Sequence, residues 1–312
     1  MEETTNRKLI IGFGNQAKAW AFNLRDSGFT PVHYLRKDST SVSSVVACGF
    51  EYIQDKLTEL EDFKEILMLI PDEAHAKCLE VIYPYLSEGS SVIYAHGFSL
   101  AAMGLKKKFP KLEHLLLAPK AIASELRFQF ETKGNIAAVM SSENSKDIQA
   151  ADKLLTELAT AIGITHGPYR VSMEEETKAD LFSEQSLLCS LIPYAGLKCY
   201  QKLRQRGIGT ELAYLECWFE IKLIVDALMK VGPVDFFDLI SPNALLGSEK
   251  GRELIFDEKF EMNLDRILDD IWSDKFFEEA SGQNIEMTRK RVKSFWKKQE
   301  LSTTHNEMGL FK

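Results

Sequence analysis

The stretch 8-KLIIGFGNQAKAWAFNLRDSG-28 combines a short apolar run, a glycine-rich turn and a helical pattern, in that order. In the turn 12-GFGNQA-17, Gly12 permits a tight bend, Gly14 lets the backbone approach a pyrophosphate, and Ala17 replaces a third glycine where the helix packs closely. The glycine pattern alone is weak evidence, but the strand before it and the helix after it disfavour a glycine turn in an unrelated α/β fold. We therefore predict a dinucleotide site whose turn residues contact the cofactor: Gly12, Phe13, Gly14, Asn15 and Gln16.

Short apolar runs alternate with helical patterns through the first half of the chain, and after about Pro168 only long helical patterns remain. Strands that alternate with helices are typical of right-handed βαβ units in a doubly wound parallel sheet. We therefore predict an α/β protein, with an N-terminal Rossmann domain over residues 1–168 and an all-α C-terminal domain over residues 169–312. The predicted strands are 8–13, 31–35, 64–70, 90–95, 114–118, 136–140 and, on the weakest pattern, 163–167. The predicted helices of the second domain are 173–206, 211–230, 233–246 and 261–300, followed by a loose tail over 302–312.

Composition and charge narrow the classes of function. The chain has 312 residues, of which 45% are hydrophobic and 27% charged, as in ordinary globular proteins. The formal net charge of −8 disfavours a nucleic-acid partner, and the basic segment 289-RKRVKSFWKK-298 has the spacing of a solvated helix face. No apolar run is long enough for a membrane span, and the first residues lack the apolar core of a secretory signal. We therefore expect a cytoplasmic protein without a membrane partner.

The loop after the second predicted strand should contact the ribose of the dinucleotide, and its sequence is 35-LRKDSTS-41. An NAD site usually has an Asp or Glu at the end of this strand, where it accepts hydrogen bonds from the ribose hydroxyls. Arg36 and the hydroxyls of Ser39 and Ser41 instead suit the dianionic 2′-phosphate of NADP. The loop therefore favours NADP over NAD, while Asp38 leaves open that it is only a polar loop over the sheet edge.

Two pairs of acids lie in otherwise apolar helical segments of the second half. Asp180 and Glu184 are four residues apart, as are Glu216 and Glu220, so each pair shares one face of a helix. Like charges on one face repel, and a buried carboxylate needs a partner. Four carboxylates without His or Cys suit Mg²⁺, and two such ions can together polarise a carbonyl and stabilise an alkoxide. Spacing alone supports a metal site and partly exposed helix acids equally, whereas 174-EEE-176 fits better as capping or solvated residues.

Polar residues also follow two of the predicted strands: His96 in 92-VIYAHGF-98 and Lys120 in 115-LLLAPK-120. Ligands of α/β sheets bind at the carboxyl ends of the strands. A lone histidine after a strand is more often a loop or packing residue than a catalyst. Two such groups near a dinucleotide site favour a catalytic role without defining the chemistry.

Taken together, these segments resemble the short class of the ketol-acid reductoisomerase family. The resemblance runs in chain order through 12-GFGNQA-17, 71-PDE-73, 95-AHGF-98, 118-APK-120, 175-EETKADLFSEQSLLC-189, 213-AYLECWFEIKLIVD-226 and Ser241. The segments that contain the two acid pairs are the most specific to the family. The resemblance thus spans nearly all of the chain.

The resemblance implies an enzyme that uses NADPH and Mg²⁺ and forms a homodimer with a site shared between the subunits. The implied reaction moves an alkyl group within a 2-hydroxy-3-keto acid such as 2-acetolactate and then reduces the new 2-ketone to a 2,3-dihydroxy acid, a step of branched-chain amino-acid biosynthesis. The implied metal ligands are Asp180 and Glu184 of one subunit with Glu216 and Glu220 of its partner. The implied catalytic residues are His96, Lys120, Glu220 and Ser241. The implied cofactor contacts beyond the turn are Arg36, Ser39, Ser41 and His96.

One segment departs from the family's pattern. After 118-APK-120 the family has Gly-Pro-Gly-His, whereas this chain has 121-AIAS-124, which carries side chains and favours regular structure. The metal ligands match the family while this pocket wall differs, which affects the substrate more than the cofactor or the metal. We therefore keep two alternatives to the reductoisomerase: a paralogue that reduces a different keto acid without rearrangement, and a non-catalytic NADP-binding sensor dimer.

Overall fold

A computed structural model describes residues 6–281 and 283–310. The chain divides into two compact units, one ending at Lys178 and the other beginning at Ala179. The first unit contains the β-sheet, and the second is helical wherever its described residues have regular structure. None of the helices in the described ranges is long and apolar enough to cross a membrane.

The first unit is built on a sheet of eight strands. These are β1 Arg7–Ile11, β2 Thr30–Tyr34, β3 Glu51–Ile53, β4 Glu65–Met68, β5 Ser91–Tyr94, β6 Glu113–Pro119, β7 Ala137–Ser141 and β8 His166–Arg170. Their order across the sheet is β3-β2-β1-β4-β5-β6-β7-β8. The first six strands are parallel, as predicted, whereas β7 is antiparallel to β6, and β8 runs parallel to β7. The short strand β3 was not predicted from the sequence.

Helices cover both faces of this sheet, as a doubly wound topology requires. They are α1 Asn15–Asp26, α2 Val42–Ala47, α3 His75–Ile82, α4 Phe98–Met103, α5 Leu105–Lys108, α6 Ala123–Thr132 and α7 Ile148–Ala161. In β1, Ile10 packs into one buried cluster with Trp20 of α1, while Leu9 and Ile11 pack into the other with Leu79 of α3. This alternation buries both faces of the central strand, which is why its sequence is a continuous apolar run.

The division at Lys178 falls within α8, Met173–Ser183, and only helices follow. The elements after α8 are a first π-helical segment Glu184–Leu191, α9 Ile192–Gln205, α10 Thr210–Tyr214, a second π-helical segment Leu215–Phe219, α11 Glu220–Leu239, α12 Pro242–Ile255, α13 Glu258–Trp272, α14 Lys275–Ser281, α15 Ile285–Lys297 and α16 Glu300–Met308. The predicted all-α character of this half is thus confirmed for the described residues.

Several bounds in the helical half differ from the sequence-based prediction. Within the described residues, the predicted helix 261–300 is three helices, α13, α14 and α15. Gly232 has non-helical backbone angles, φ +85 and ψ 168, so α11 consists of two helices that meet at the break predicted from the sequence. The second of them ends at Leu239 rather than near 246, and α12 begins at Pro242. The predicted loose tail is wrong as far as the structure describes it, because α16 packs into the helical core. Thr304 hydrogen-bonds to Tyr200 at 3.2 Å and His305 to Tyr214 at 2.9 Å. Residues 311 and 312 lie outside the described ranges.

Candidate active site

The glycine-rich turn joins β1 to α1 and presents the first amides of that helix. Gly12 has φ +87, which favours glycine, and a Cβ at this position would lie 2.4 Å from Cγ2 of Ile70. Gly14 precedes α1 without a side-chain cap, so backbone amides there can donate to a pyrophosphate. Asn15 is exposed at the start of α1, and Oε1 of Gln16 is buried without a hydrogen-bond partner among the described residues. An open helix start beside an unpaired buried acceptor fits a bound dinucleotide.

A histidine that the sequence did not single out lies beneath this turn. Nδ1 of His33 in β2 is 2.8 Å from the carbonyl oxygen of Gly12, to which it donates. Its ring meets Phe13 edge-on at 4.8 Å and Phe50 at 5.3 Å between centroids. Burial lowers the pKa of His33 to about 4, although the hydrogen bond to Gly12 opposes this effect. A neutral ring therefore supports the backbone of the turn.

The predicted ribose-binding loop follows β2 and is largely exposed. Nε of Arg36 lies 3.0 Å from a carboxylate oxygen of Asp38, and both side chains remain more than three-quarters exposed. The hydroxyl of Ser39 accepts a hydrogen bond from the backbone amide of Ser41 at 3.2 Å. The side-chain amide of Gln54 donates to the carbonyl oxygen of Arg36 at 3.0 Å, which tethers the loop to the end of β3. The loop thus presents a guanidinium and hydroxyls, with an acid that competes for the guanidinium.

A buried carboxylate organises the carboxyl edge of β5 and β6. The ammonium of Lys120, directly after β6, donates to Oε1 of Glu176 at 2.8 Å. The backbone amide of Gly97 donates to Oε2 of the same carboxylate at 3.0 Å. The Glu176 side chain is 1% exposed and that of Lys120 is 37% exposed, so the pair opens to solvent only on the lysine side. We call His96, Gly97, Lys120 and Glu176 the polar cluster.

The interpretation of 174-EEE-176 as capping or solvated residues is therefore wrong for one of the three glutamates. Glu175 does cap α8, because its carboxylate accepts from the amide of Ser172 at 2.9 Å. Glu174 is exposed and pairs with Lys178 at 2.7 Å. Glu176 is instead buried and pairs with Lys120, which the sequence did not indicate because the two residues are 56 positions apart.

Gly97 lets α8 approach the end of β5. A Cβ at this position would lie 2.2 Å from Oγ1 of Thr177 and 2.9 Å from Oε2 of Glu176, so any side chain would displace the carboxylate. The neighbouring His96 is half-buried, and its Nδ1 accepts from the amide of Phe98 at 3.1 Å. Because Nδ1 accepts this hydrogen bond, a neutral His96 ring would carry its hydrogen on Nε2. The two strand-end residues predicted from the sequence thus lie in one polar cluster.

Each predicted acid pair lies at a π-helical segment. Glu184 is the first residue of the first segment, and Asp180 lies four residues earlier in α8. Glu216 lies in the second segment, and Glu220 directly follows it. Short π segments inside α-helices are rare and frequently occur at functional sites. No pattern in the sequence predicted them.

The first acid pair creates a negative environment that a cation would relieve. Partial burial and then the carboxylates of Glu184 and Asp180 raise the pKa of the Cys189 thiol. The donor set of the four acids is all oxygen, which fits Mg²⁺. Among the described residues, these four acids do not form a group in which three ligand atoms lie within 4.8 Å of one another.

The remaining predicted residue, Ser241, begins α12 as its N-cap. Its hydroxyl accepts from the amide of Ala244 at 3.2 Å, and the residue is exposed. Because the hydroxyl oxygen serves as the acceptor, its hydrogen can be donated to a ligand. Ser241 thus has a defined local position as the N-cap of α12.

The divergent segment 121-AIAS-124 forms the start of α6. Ile122 is its extended N-cap residue, with φ −67 and ψ 157, and its side chain is 72% exposed. Ala121 and Ala123 pack against the buried cluster of that face. The expectation of regular structure is confirmed, and a large apolar side chain stands two residues after Lys120.

The doubly wound sheet, the open glycine-rich turn and the polar cluster at the carboxyl edge define a dinucleotide-dependent oxidoreductase. Two family models account for most of the chain. The model described as acetohydroxy acid isomeroreductase, NADPH-binding domain, matches residues 4–167, and the model of the ketol-acid reductoisomerase C-terminal domain matches residues 173–309. The chain belongs to the ketol-acid reductoisomerase family, and the resemblance inferred from its motifs is confirmed.

Individual relatives agree with this assignment. The chain is 31% identical over 274 residues to the ketol-acid reductoisomerase (NADP(+)) of Sulfolobus acidocaldarius, covering 87% of this chain and 82% of that protein. The solved structure of an NADH-preferring ketol-acid reductoisomerase from an uncultured archean matches with a TM-score of 0.86 at 23% identity, covering 99% of this chain and 95% of that one. A semialdehyde dehydrogenase NAD-binding protein from Cupriavidus necator shares the fold, with a TM-score of 0.66 at 16% identity over 86% of this chain and 99% of that one.

Proposed function

We propose that this protein is an NADPH- and Mg²⁺-dependent ketol-acid reductoisomerase that converts 2-acetolactate-type acids to 2,3-dihydroxy acids in branched-chain amino-acid biosynthesis. The observation that carries the proposal is the polar cluster, which lies at the carboxyl edge of the same sheet as the dinucleotide turn in a chain of this family. In this proposal the domain over residues 1–168 binds NADPH. The domain over residues 169–312 supplies the metal ligands and the dimer contacts.

The loop after β2 supports NADPH as the preferred cofactor. The Arg36 side chain is 78% exposed even while it pairs with Asp38, so it can turn to a 2′-phosphate. A dianionic phosphate attracts a guanidinium more strongly than a single carboxylate does. The hydroxyls of Ser39 and Ser41 add donors at the same loop. NADPH itself would supply the hydride to the 2-ketone.

The acid pairs support Mg²⁺ as the metal. Asp180 and Glu184 would hold it from one subunit and Glu216 and Glu220 from the partner, as the family resemblance implies. In line with this sharing, the four acids of one chain do not supply three ligand atoms within 4.8 Å of one another among the described residues. Bound there, Mg²⁺ would supply Lewis-acid polarisation of the hydroxyl and ketone oxygens of the substrate. The carboxylates would hold the positively charged ion in place and, through the ion held there, would orient the hydroxyl-bearing substrate.

Helices α11 and α12 support a homodimer. Neither helix has a single buried residue, although α11 is predominantly apolar. Their exposed apolar side chains include Met229, Val234, Leu246 and Leu254. An exposed apolar surface of this extent is typical of an interface, and a two-fold partner would also bring the missing acid pair.

The polar cluster would bind and orient the substrate during proton transfer. Glu176 accepts from Lys120 and from the Gly97 amide with different oxygens, so its carboxylate is fixed in one orientation. It thereby holds the Lys120 ammonium as a donor toward the open side of the pair. The family resemblance also assigns His96 and Ser241 to the substrate site of the assembled enzyme.

Turnover with defined substrates tests the proposed function. The purified protein should oxidise NADPH in the presence of 2-acetolactate and Mg²⁺, and EDTA should stop the reaction. Glu184→Gln should abolish the Mg²⁺-dependent turnover, because a neutral amide is a poor ligand for this ion. NADPH oxidation that ignores Mg²⁺ would contradict the mechanism.

One observation favours a second candidate, a paralogue that reduces another keto acid without rearrangement. The exposed Ile122 stands where the family has a compact glycine–proline turn, so a large apolar side chain replaces a small one after Lys120. Reduction of a simple 2-keto acid such as 3-hydroxypyruvate, with no turnover of 2-acetolactate, would support this candidate. Tight NADPH binding with neither turnover nor Mg²⁺-dependent heat would instead support a non-catalytic sensor, which would have no need of the acid pairs.

A further inference from the structure

His75 lies outside the polar cluster and the dinucleotide turn, yet each of its two ring nitrogens forms a hydrogen bond. The residue begins α3, directly after a 3₁₀ turn over Asp72–Ala74, and is 3% exposed. Nε2 lies 2.9 Å from the carbonyl oxygen of Ile70, and Nδ1 lies 2.7 Å from the hydroxyl of Ser99. A carbonyl oxygen only accepts, so Nε2 carries a hydrogen. Burial lowers the pKa of His75, so the ring is neutral and Nδ1 accepts from Ser99.

The first of these hydrogen bonds leads to the cofactor turn. Ile70 is the residue whose Cγ2 occupies the space beside Gly12, 2.4 Å from where a Cβ would be. The carbonyl group of Ile70 is held by His75, so the position of this side chain against the turn depends on the imidazole. A shift of Ile70 would therefore displace Gly12 and the amides that follow it.

The second hydrogen bond leads to the polar cluster. Ser99 is fully buried in the first turn of α4, three residues after His96 and two after Gly97. The amide of Gly97 in turn donates to Glu176, the partner of Lys120. Fixing Ser99 therefore fixes the backbone that presents His96 and orients the buried carboxylate.

We propose that His75 is a positioning residue that couples the dinucleotide turn to the polar cluster. Its Nε2 holds the position of Ile70, and its Nδ1 holds the position of Ser99. The link from His75 to the polar cluster rests on the proposed function, because that function gives the polar cluster its role. The link from His75 to the dinucleotide turn, which we call the cofactor half of the proposal, depends only on that turn. In this arrangement the same ring aligns the cofactor and the groups that meet the substrate.

Two substitutions separate the two hydrogen bonds. In His75→Gln the amide nitrogen takes the place of Nε2, which keeps the bond to Ile70 and loses the bond to Ser99. In His75→Asn the amide oxygen takes the place of Nδ1, which keeps the bond to Ser99 and loses the bond to Ile70. Since one net hydrogen bond changes an equilibrium by about fivefold to tenfold, each variant should impair one property by roughly that factor.

The measurements are the Kd for NADPH, from the fluorescence of the bound cofactor without substrate, and kcat on 2-acetolactate. His75→Asn should weaken NADPH binding by about fivefold to tenfold, and His75→Gln should leave the Kd within about twofold while kcat falls by about tenfold. Ser99→Ala removes only a hydroxyl and should reproduce the fall in kcat. The double variant Ser99→Ala with His75→Gln should be no slower than either single variant, because both remove the same bond.

His114 provides a matched control. It is also fully buried, and its ring nitrogens also bond to a hydroxyl, that of Tyr94 at 3.0 Å, and to a carbonyl oxygen, that of Phe109 at 3.3 Å. His114→Gln should lower the thermal midpoint without changing the Kd or kcat. The proposal is overturned if the Asn and Gln variants of His75 have the same Kd and kcat, or if they differ from wild type only in thermal midpoint, as His114→Gln should. If the wild-type protein does not turn over 2-acetolactate, the proposed function fails, and the Kd difference between the two variants still decides the cofactor half.

Discussion

Acidification should destabilise this protein through the buried histidine beneath the cofactor turn. The ring of His33 is fully buried, and that burial lowers its pKa from 6.5 to about 4. In the unfolded chain the pKa stays near 6.5, so between these two values the unfolded state binds a proton that the folded state does not. The stability that the neutral ring contributes is therefore fully present above pH 6.5 and is lost as the pH falls towards about 4.

The size of this loss follows from the two pKa values. A difference of 2.5 between 6.5 and about 4 corresponds to about 3 kcal/mol of unfolding free energy once the pH is below both values. At pH 5, where the unfolded state is almost fully protonated and the folded state is not, linkage gives a loss of about 2 kcal/mol. A loss of this size is a substantial fraction of the whole unfolding free energy of an ordinary domain.

Urea unfolding between about pH 7 and pH 5 measures the effect, with His33→Asn as the test variant. Asparagine can donate to the Gly12 carbonyl but does not titrate, although the loss of ring packing lowers its stability at every pH. The wild-type protein should lose about 2 kcal/mol more than His33→Asn over this range. His166→Asn, at an exposed histidine, should follow the wild-type profile. Parallel profiles for wild type and His33→Asn would refute the reasoning.

Three further predictions concern the site. Glu176→Gln should lower kcat by at least tenfold and the unfolding free energy by about 1–3 kcal/mol, because Lys120 loses its charged partner; the exposed Glu174→Gln should change neither in turnover and urea assays. Asp180→Asn and Glu216→Gln should each abolish activity, and co-refolding the two inactive proteins should restore about a quarter of the wild-type activity. About half of the dimers are then mixed, and each mixed dimer contains one intact shared site out of two. No recovery would contradict a site shared between subunits. Arg36→Ala should raise KM for NADPH by about tenfold and leave KM for NADH unchanged in steady-state kinetics, whereas equal changes would exclude a contact to the 2′-phosphate.

The fold could be predicted where one contiguous stretch decides its own structure. The apolar run of β1, the glycines and α1 all lie within 8–28, so local pattern was sufficient. Strand β3 was missed because only Ile53 of its three residues is buried, which leaves no apolar run. Helix α16 was missed because its sequence is polar and its stabilising contacts are distant. Those to Tyr200 and Tyr214 join residues 104 and 91 positions apart.

Some residues of the candidate site could likewise be predicted from local sequence, and others could not. The acid pairs and the turn could be found from spacing and motif, and the family resemblance assigned them roles. Glu176 could not be distinguished from the two glutamates before it, because only the folded chain brings it to Lys120, 56 residues away. His33 and His75 could not be singled out from the sequence, since their partners are backbone carbonyls and, for His75, also the hydroxyl of Ser99, which no sequence pattern indicates. The π segments at the acid pairs likewise have no sequence signature in this chain.

The fate of a labelled methyl group tests the proposed reaction most directly. 2-Acetolactate carrying ¹³C in the methyl group on C2 would be incubated with the protein, NADPH and Mg²⁺, and the product examined by NMR. We predict a 2,3-dihydroxy acid in which the labelled methyl is attached to C3, formed only when Mg²⁺ is present. A product that keeps the labelled methyl on C2, or one that forms equally well with EDTA, would contradict the reductoisomerase assignment.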